Sequence, residues 1–112
     1  MDELVQRLTE GTHPVRVGGS QSASLEDLKK RVADTKYVFI KFTDTRGGTD
    51  LGVRVDTEKT NLSQSDFEHG TGIAHIEGSL TLNYVKVRCI ADISLATLEG
   101  TGYLVALEET LP

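Results

Sequence analysis

Apolar and polar residues alternate from residue 72 to residue 108 with little interruption, which predicts β-strands over the last third of the chain. The apolar side chains stand on even positions up to Tyr84 and on odd positions from Val85 onward. Because side chains alternate between the two faces of a strand, a turn or a β-bulge must absorb this change of phase. We therefore expect the sheet to bend at Asn83 and Tyr84, between strands predicted over residues 73–83, 85–95 and 102–108.

A β-hairpin is predicted in the middle of the chain. Residues 37–43 form a dense apolar run, and residues 51–55 alternate between apolar and polar side chains. The loop between them contains Gly47 and Gly48, and paired glycines between two strands favour a tight turn. The first strand carries apolar side chains on both faces, which is typical of a central strand.

Two short helices are predicted before this hairpin. The first covers residues 2–9, with Asp2 as its N-cap, and the second covers residues 25–34. Ser24 followed by Asp27 resembles a capping box at the start of the second helix. Apolar residues recur on one helical face in both segments, at Leu4, Val5 and Leu8 in the first and at Leu25, Leu28 and Val32 in the second.

The segments between these elements have weaker patterns. Residues 13–17 form a brief extended stretch, in which Pro14 favours an edge position because proline cannot donate to a sheet ladder. Residues 18–22 form a short glycine- and serine-rich loop. Residues 57–72 form a long polar loop, in which a short turn of helix is predicted over residues 63–68 from a serine at its start.

Together these elements predict an α+β fold in one domain that spans residues 1–112. No helical pattern lies between the late strands to supply the crossovers of a parallel sheet, so antiparallel neighbours are favoured. We expect two short N-terminal helices packed on a curved, mainly antiparallel sheet of five or six strands. Both a closed β-barrel and an open sheet covered by the helices fit the pattern.

Composition and charge argue against several classes of protein. The net charge of −5 and the scarcity of aromatic residues argue against a nucleic-acid partner. No run of about 18 apolar residues is present, so we do not expect the chain to span a membrane. The single cysteine, Cys89, falls on the apolar phase of a strand, and the first residues show no secretory signal. The expected compartment is therefore the cytoplasm.

The loop of residues 43–50 is the most unusual short stretch of the sequence. The two glycines let the backbone approach another group closely, and an arginine binds a carboxylate or phosphate through two parallel hydrogen bonds. The loop lacks the Lys-Ser/Thr ending of a P-loop and joins two strands, so a plain hairpin turn is the competing interpretation. The predicted ligand-binding residues are Arg46, Gly47, Gly48 and Thr49.

Polar residues on the late strands are the candidate catalytic groups, and an enzyme hypothesis places them inside a barrel cavity. His75 or Asp92 would act as the base, and Arg88 or Arg46 would hold an anionic substrate. Tyr84, at the predicted bend, is the fourth candidate. A solvated outer face of the sheet explains the same residues without catalysis. Arg88 and Asp92 lie roughly 13 Å apart along the strand, so they need a group from a neighbouring strand to interact.

One cluster invites a metal interpretation, because imidazole and carboxylate groups suit zinc, iron or manganese. It consists of Asp66, Glu68, His69 and His75. Its spacing matches no metal-binding motif, so neither a metal ligand nor a cofactor is predicted.

The lack of a strong catalytic pattern favours a non-enzymatic role. We predict a small cytoplasmic accessory or regulatory protein that self-associates and binds a partner protein or a small anionic ligand. Self-association is expected because two short helices cover only one face of a sheet that is apolar on both. The alternatives are a small-molecule enzyme, a lyase or isomerase with a pocket in a β-barrel, and a metal-binding domain around residues 66–75.

Overall fold

The computed structural model describes residues 3–18 and 24–109 of the chain. The helices are α1 (Glu3–Thr9) and α2 (Leu25–Lys30), and a π-helical turn (Arg31–Thr35) continues α2. The strands are β1 (His13–Val17), β2 (Tyr37–Phe42), β3 (Thr49–Val55), β4 (Ser65–Asp66), β5 (Thr71–Leu82), β6 (Val85–Ser94) and β7 (Glu99–Glu109). The predicted α+β fold is confirmed. The predicted cap at Asp2 and most of the loop of residues 18–22 lie outside the described residues.

Six strands close into an antiparallel β-barrel in the order β3-β2-β1-β7-β6-β5, with β5 paired back to β3. The closing ladder is the shortest of the barrel, because it joins only Arg54 to Ser79 and Val55 to Gly78. The short strand β4 pairs with β5 near the start of that strand. The closed barrel, and not the open sheet, is therefore the correct alternative.

Alternate residues of each barrel strand point inward, as the periodicity predicted. Because these inward-facing residues are apolar, the interior of the barrel is apolar. The helices add Val5, Leu8, Leu28 and Val32 to the same core. His13 is the one buried polar residue in the described part of the chain. Burial raises the pKa of the Cys89 thiol to about 12, as expected for an inert thiol in the core.

The predicted change of phase is absorbed by a two-residue hairpin turn. Leu82 pairs with Val85, and the turn residues Asn83 and Tyr84 both have positive φ, 48° and 67°. Positive φ at both central residues is the geometry that gives a hairpin the right-handed twist of its strands. The bend expected at Asn83 and Tyr84 is confirmed.

The expectation that Pro14 marks an edge strand is wrong, because β1 lies between β2 and β7. The Pro14 carbonyl accepts hydrogen bonds from the Thr43 backbone N–H at 3.1 Å and from its hydroxyl at 3.3 Å. Thr43 directly follows β2, so the nitrogen that proline cannot use for donation faces the end of the neighbouring strand. An internal strand therefore tolerates proline at this position.

The helical turn predicted over residues 63–68 is also wrong. Ser65 and Asp66 form β4 and pair with Gly72 and Thr71 of β5. The Ser65 hydroxyl donates to the Ile73 carbonyl at 2.9 Å, which ties the segment to the barrel. The segment has no apolar stripe at helical spacing, so packing does not stabilise a helix here. The Ser65 hydroxyl therefore bonds to a neighbouring strand and does not cap a helix.

Candidate functional site

Two groups of polar residues on the barrel surface are candidates for function. The first is a charged row on the outer face of β5 and β6. His75 lies at its centre, since its Nδ1 contacts Asp92 Oδ1 at 2.7 Å and its Nε2 contacts Glu77 Oε2 at 2.6 Å. His75 and Asp92 are directly opposite each other in the β5–β6 ladder, and Glu77 is the next residue on the same face of β5.

Arg88 extends the row toward the loop that follows β3. Its Nη2 donates to Asp56 Oδ2 at 3.1 Å, and its Nη1 lies 3.6 Å from Glu77 Oε1. The hydrogen bond from Arg88 lowers the pKa of the Asp56 carboxyl. The charged row thus consists of Asp92, His75, Glu77, Arg88 and Asp56.

The charged row is placed to hold the loop after β3 on the barrel. The Asp56 N–H donates to the Glu77 carbonyl at 2.8 Å, and Asn61 exchanges two backbone hydrogen bonds with His75 at 2.8 and 3.1 Å. The Thr60 hydroxyl oxygen also accepts a hydrogen bond from the Glu77 N–H at 3.1 Å. The hydrogen bonds that its ring donates to Glu77 and Asp92 raise the pKa of His75. A protonated ring donates from both nitrogens, so it has no lone pair with which to act as a base.

The four candidate catalytic residues do not form one site. His75, Asp92 and Arg88 belong to the charged row, with Glu77 between them as the group from a neighbouring strand that their spacing requires. Tyr84 lies at the far hairpin turn, 62% exposed. At about 3.3 Å per residue, roughly 13 Å of strand separates it from Arg88 and roughly 26 Å from Asp92. All four lie outside the apolar interior. A depression of about 300 Å³ beside the row is lined in part by His75, Asp92 and Ile73.

Asp56, like Glu77, is a member of the row that was not among the predicted site residues. It ends the strand run of the hairpin and lies far from Arg88 in sequence, at a separation of 32 residues. Only the closure of β3 on β5 brings the two together. No local pattern signals a contact that depends on how the barrel closes.

The raised pKa of His75 predicts a pH-dependent contribution to stability. A group whose pKa is higher in the folded state stabilises the fold below its unfolded pKa, here 6.5, and loses that contribution as the pH rises through the folded value. We expect the free energy of unfolding to fall by roughly 0.5–1 kcal/mol between about pH 6 and pH 9, in the range of partly exposed ion pairs. Urea denaturation across this range measures it.

The matched control for this prediction is His75→Gln, which keeps a polar side chain and removes the titration. The difference in stability between wild type and variant should be largest at low pH and should shrink as the pH rises. A constant difference across the range would show that protonation of His75 does not contribute.

The residues of the candidate metal cluster separate into two places. His69 Nδ1 contacts Asp66 Oδ2 at 2.7 Å, and this contact lowers the pKa of Asp66. His75 is engaged in the charged row instead. Within residues 3–18 and 24–109, three or more His, Cys, Asp or Glu side chains nowhere converge as a metal site would need.

The second candidate is the loop between β2 and β3. Gly47 and Gly48 have φ of 75° and 78°, and the Gly48 N–H donates to the Thr45 carbonyl at 2.9 Å, so the loop is a tight turn. The Thr45 and Thr49 hydroxyls are 2.7 Å apart across it. The base of the loop is fixed by Asp44, whose carboxylate contacts His13 Nδ1 at 2.7 Å.

Two depressions flank this loop. The first, about 360 Å³, is the basic depression, lined by Arg16, Lys41, Thr43, Thr45, Gly47 and Gly48. The second, about 640 Å³, lies toward α1 and includes Arg7, Arg46, Gly48 and Thr49, together with the carboxylates of Glu3 and Asp50. The four predicted ligand-binding residues therefore divide between two sides of the loop, and Gly48 reaches both.

Arg16 and Lys41 are the residues that sequence reasoning missed. They are directly opposite each other in the β1–β2 ladder, on the outer face. Like charges opposed in a sheet destabilise it, and the described part of the chain gives neither side chain an ion pair. Each cation also has a carboxylate opposite it on its other neighbouring strand, Glu99 for Arg16 and Asp50 for Lys41. The Asp50 carboxylate lies against Gly18. No local sequence pattern could indicate this pair, because Arg16 and Lys41 meet only through the pairing of two segments that are distant in sequence.

Within the described residues, neither helix has the length and apolar character needed to cross a bilayer. The chain matches no protein-family model, and no curated protein is significantly similar to it.

Proposed function

We propose that this chain is a small cytoplasmic accessory or regulatory protein that binds a small anionic ligand in the basic depression. The observation that carries the proposal is the opposed pair of cations, Arg16 and Lys41, in a chain whose net charge is −5. An anion between the two side chains converts their repulsion into two charge-assisted hydrogen bonds, which are about twice as strong as neutral ones.

The loop completes the proposed site. Thr43 and Thr45 line the same depression, as do the two glycines. Gly47 has open space where a side chain would stand, so its backbone is accessible to a ligand, whereas the Lys41 side chain lies over Gly48. A phosphate or carboxylate group has the charge and the several acceptor oxygens that guanidinium, ammonium and hydroxyl donors recognise. The ligand class we propose is therefore a small phosphate- or carboxylate-bearing molecule.

Replacing either cation should weaken this binding. We expect Arg16→Gln or Lys41→Gln to lower the affinity for inorganic phosphate or citrate about tenfold, as loss of one charge-assisted hydrogen bond implies. Titration of isotope-labelled protein, followed by NMR at the Gly47 and Gly48 amides, measures it.

Lys29→Gln is the matched control for the phosphate titration, because it removes the same charge from the exposed face of α2. If Lys29→Gln weakens binding as much as Lys41→Gln does, the anion responds to net charge and not to the depression. Unchanged amide signals at Gly47 and Gly48 would contradict the site directly.

The proposal includes self-association, and the outer face of β7 is the surface that favours it. Val105 and Leu107 are 39% and 56% exposed, and Tyr103 is paired with Ile90 on the neighbouring strand. Neighbouring exposed apolar side chains of this kind are typical of contact surfaces. Light scattering over a range of concentrations tests this part of the proposal, and a monomer at every concentration contradicts it.

The charged row gives the enzyme alternative its best case, since His75 and Asp92 touch beside a depression. Catalysis by His75 as a base requires a free ring nitrogen, and Asp92 and Glu77 occupy both. The arrangement therefore favours binding over catalysis as the proposed function.

A further inference from the structure

The barrel is open over part of its closing seam. Beyond Arg54 and Ser79 the register would next pair Val53 with Leu80 and Gly52 with Thr81, but the ladder stops before these pairs. A groove of about 700 Å³ lies between the diverging strands. We call it the seam groove, and it is lined in part by Leu51, Gly52, Arg54, Leu80, Thr81 and Leu82.

Backbone groups of both strands face the seam groove. The Val55 N–H donates to Lys36, next to β2, while the Asp56 N–H donates to Glu77 of β5. Because the direction of hydrogen bonding alternates along an antiparallel strand, the Gly52 N–H and C=O point away from β2 and into the groove. The same alternation on β5 points those of Thr81 toward β3. Among the described strands, none pairs with Gly52 or Thr81 on this side.

The side chains of the seam groove divide into an apolar floor and a basic rim. Leu51 is buried and Leu80 and Leu82 are half-buried, and all three belong to the inward-facing set of their strands. Arg54 and Lys86 stand on the outer face and line the rim. Asp50 is the one carboxylate among the described residues that line the groove, so the positive groups of these residues, Arg54 and Lys86, exceed the negative ones.

We propose that the seam groove binds an extended peptide segment of a partner protein by strand addition. Main-chain hydrogen bonds to Gly52 and Thr81 supply the pairing, as in other strand-addition complexes. Successive side chains of such a segment point to opposite faces, so alternate residues meet the leucine floor and the basic rim. The segment that fits therefore alternates apolar with acidic residues. This surface is separate from the basic depression and does not depend on anion binding there.

The test uses an eight-residue peptide that alternates valine and glutamate, titrated into isotope-labelled full-length protein. We expect the largest NMR shift changes at the Gly52 and Thr81 amides. Arg54→Gln should weaken the binding about fivefold, whereas Lys29→Gln should leave it unchanged. A peptide with valine and lysine in alternation should bind more weakly than the glutamate peptide.

A peptide of the same side chains, N-methylated at every residue, separates strand addition from charge attraction. It keeps the charges and the apolar groups but cannot form the ladder, so we expect it not to bind. Equal binding of the methylated peptide, or shifts confined to residues outside the groove, would overturn the proposal. So would Gly52 and Thr81 shifts that depend on protein concentration without peptide, because a second copy would then occupy the groove. Phosphate binding, read at Gly47 and Gly48, succeeds or fails independently.

Discussion

Phe42→Ala is expected to lower the free energy of unfolding by about 3–5 kcal/mol, the usual loss when a buried phenylalanine is truncated. Phe42 is the largest of the fully buried side chains among the described residues. Its ring meets the His13 ring edge to face at 6.1 Å, where β1 begins and α1 has just ended. Removing the ring leaves a cavity at the point where the helix, the strand and the barrel meet. Urea denaturation measures the loss.

Phe39→Ala is the matched control, because Phe39 is the same residue type on the same strand and points outward. It is half-buried, packs edge to face on Tyr37 at 5.5 Å, and lies under the Arg31 guanidinium at 5.4 Å. These contacts imply a smaller loss of roughly 1–2 kcal/mol. Losses of similar size for the two variants would contradict the inward and outward assignment of β2. If Phe42→Ala does not fold, Phe42→Leu still tests the ranking with a smaller cavity.

That these two phenylalanines face opposite ways was available from the sequence. A period of two along residues 37–43 separates Val38, Ile40 and Phe42 from the other face, and the structure buries those three completely. The same argument located the hairpin turn at Asn83 and Tyr84, since a change of phase must coincide with a break in the strand. In these two places a physical rule acts between neighbours in sequence, and the prediction was correct.

Predictions that depended on pairing between distant strands were less complete. Pro14 was expected at an edge because proline has no N–H to donate to a neighbouring strand. Only the tertiary arrangement decides whether a neighbouring strand has a carbonyl at that position. The opposition of Arg16 and Lys41, and the contact of Arg88 with Asp56, likewise depend on which strands are adjacent. A one-dimensional pattern gives the face of a residue and not the strand beside it, so candidate residues were found singly and their partners were missed.

The closure of the barrel is the pairing that the sequence pattern indicated least. This closure depends on Gly78. Gly78 faces the interior and pairs with Val55. A methyl group there would overlap the carbonyl oxygen of Arg54 and lie 2.5 Å from Val53 Cγ1. Neither the backbone carbonyl nor the buried valine has room to withdraw. We therefore expect Gly78→Ala to cost roughly 2–3 kcal/mol of stability, as overpacking does.

Gly52→Ala separates this backbone conflict from the general cost of replacing a strand glycine. A methyl group on Gly52 would overlap the Tyr37 hydroxyl, the tip of a flexible side chain that is 42% exposed and is free to turn toward solvent. Its effect should stay within roughly 0.5 kcal/mol, as for other surface changes. Chemical denaturation ranks the two variants, and hydrogen exchange shows where Gly78→Ala acts: the Asp56 N–H, bonded to Glu77 across the seam, should exchange faster. Equal stability of Gly78→Ala and Gly52→Ala, with unchanged exchange at Asp56, would mean that β3 and β5 do not meet at Gly78. Strand addition in the seam groove would then lose its geometric basis, because the groove exists only if the two strands touch at one end and part at the other.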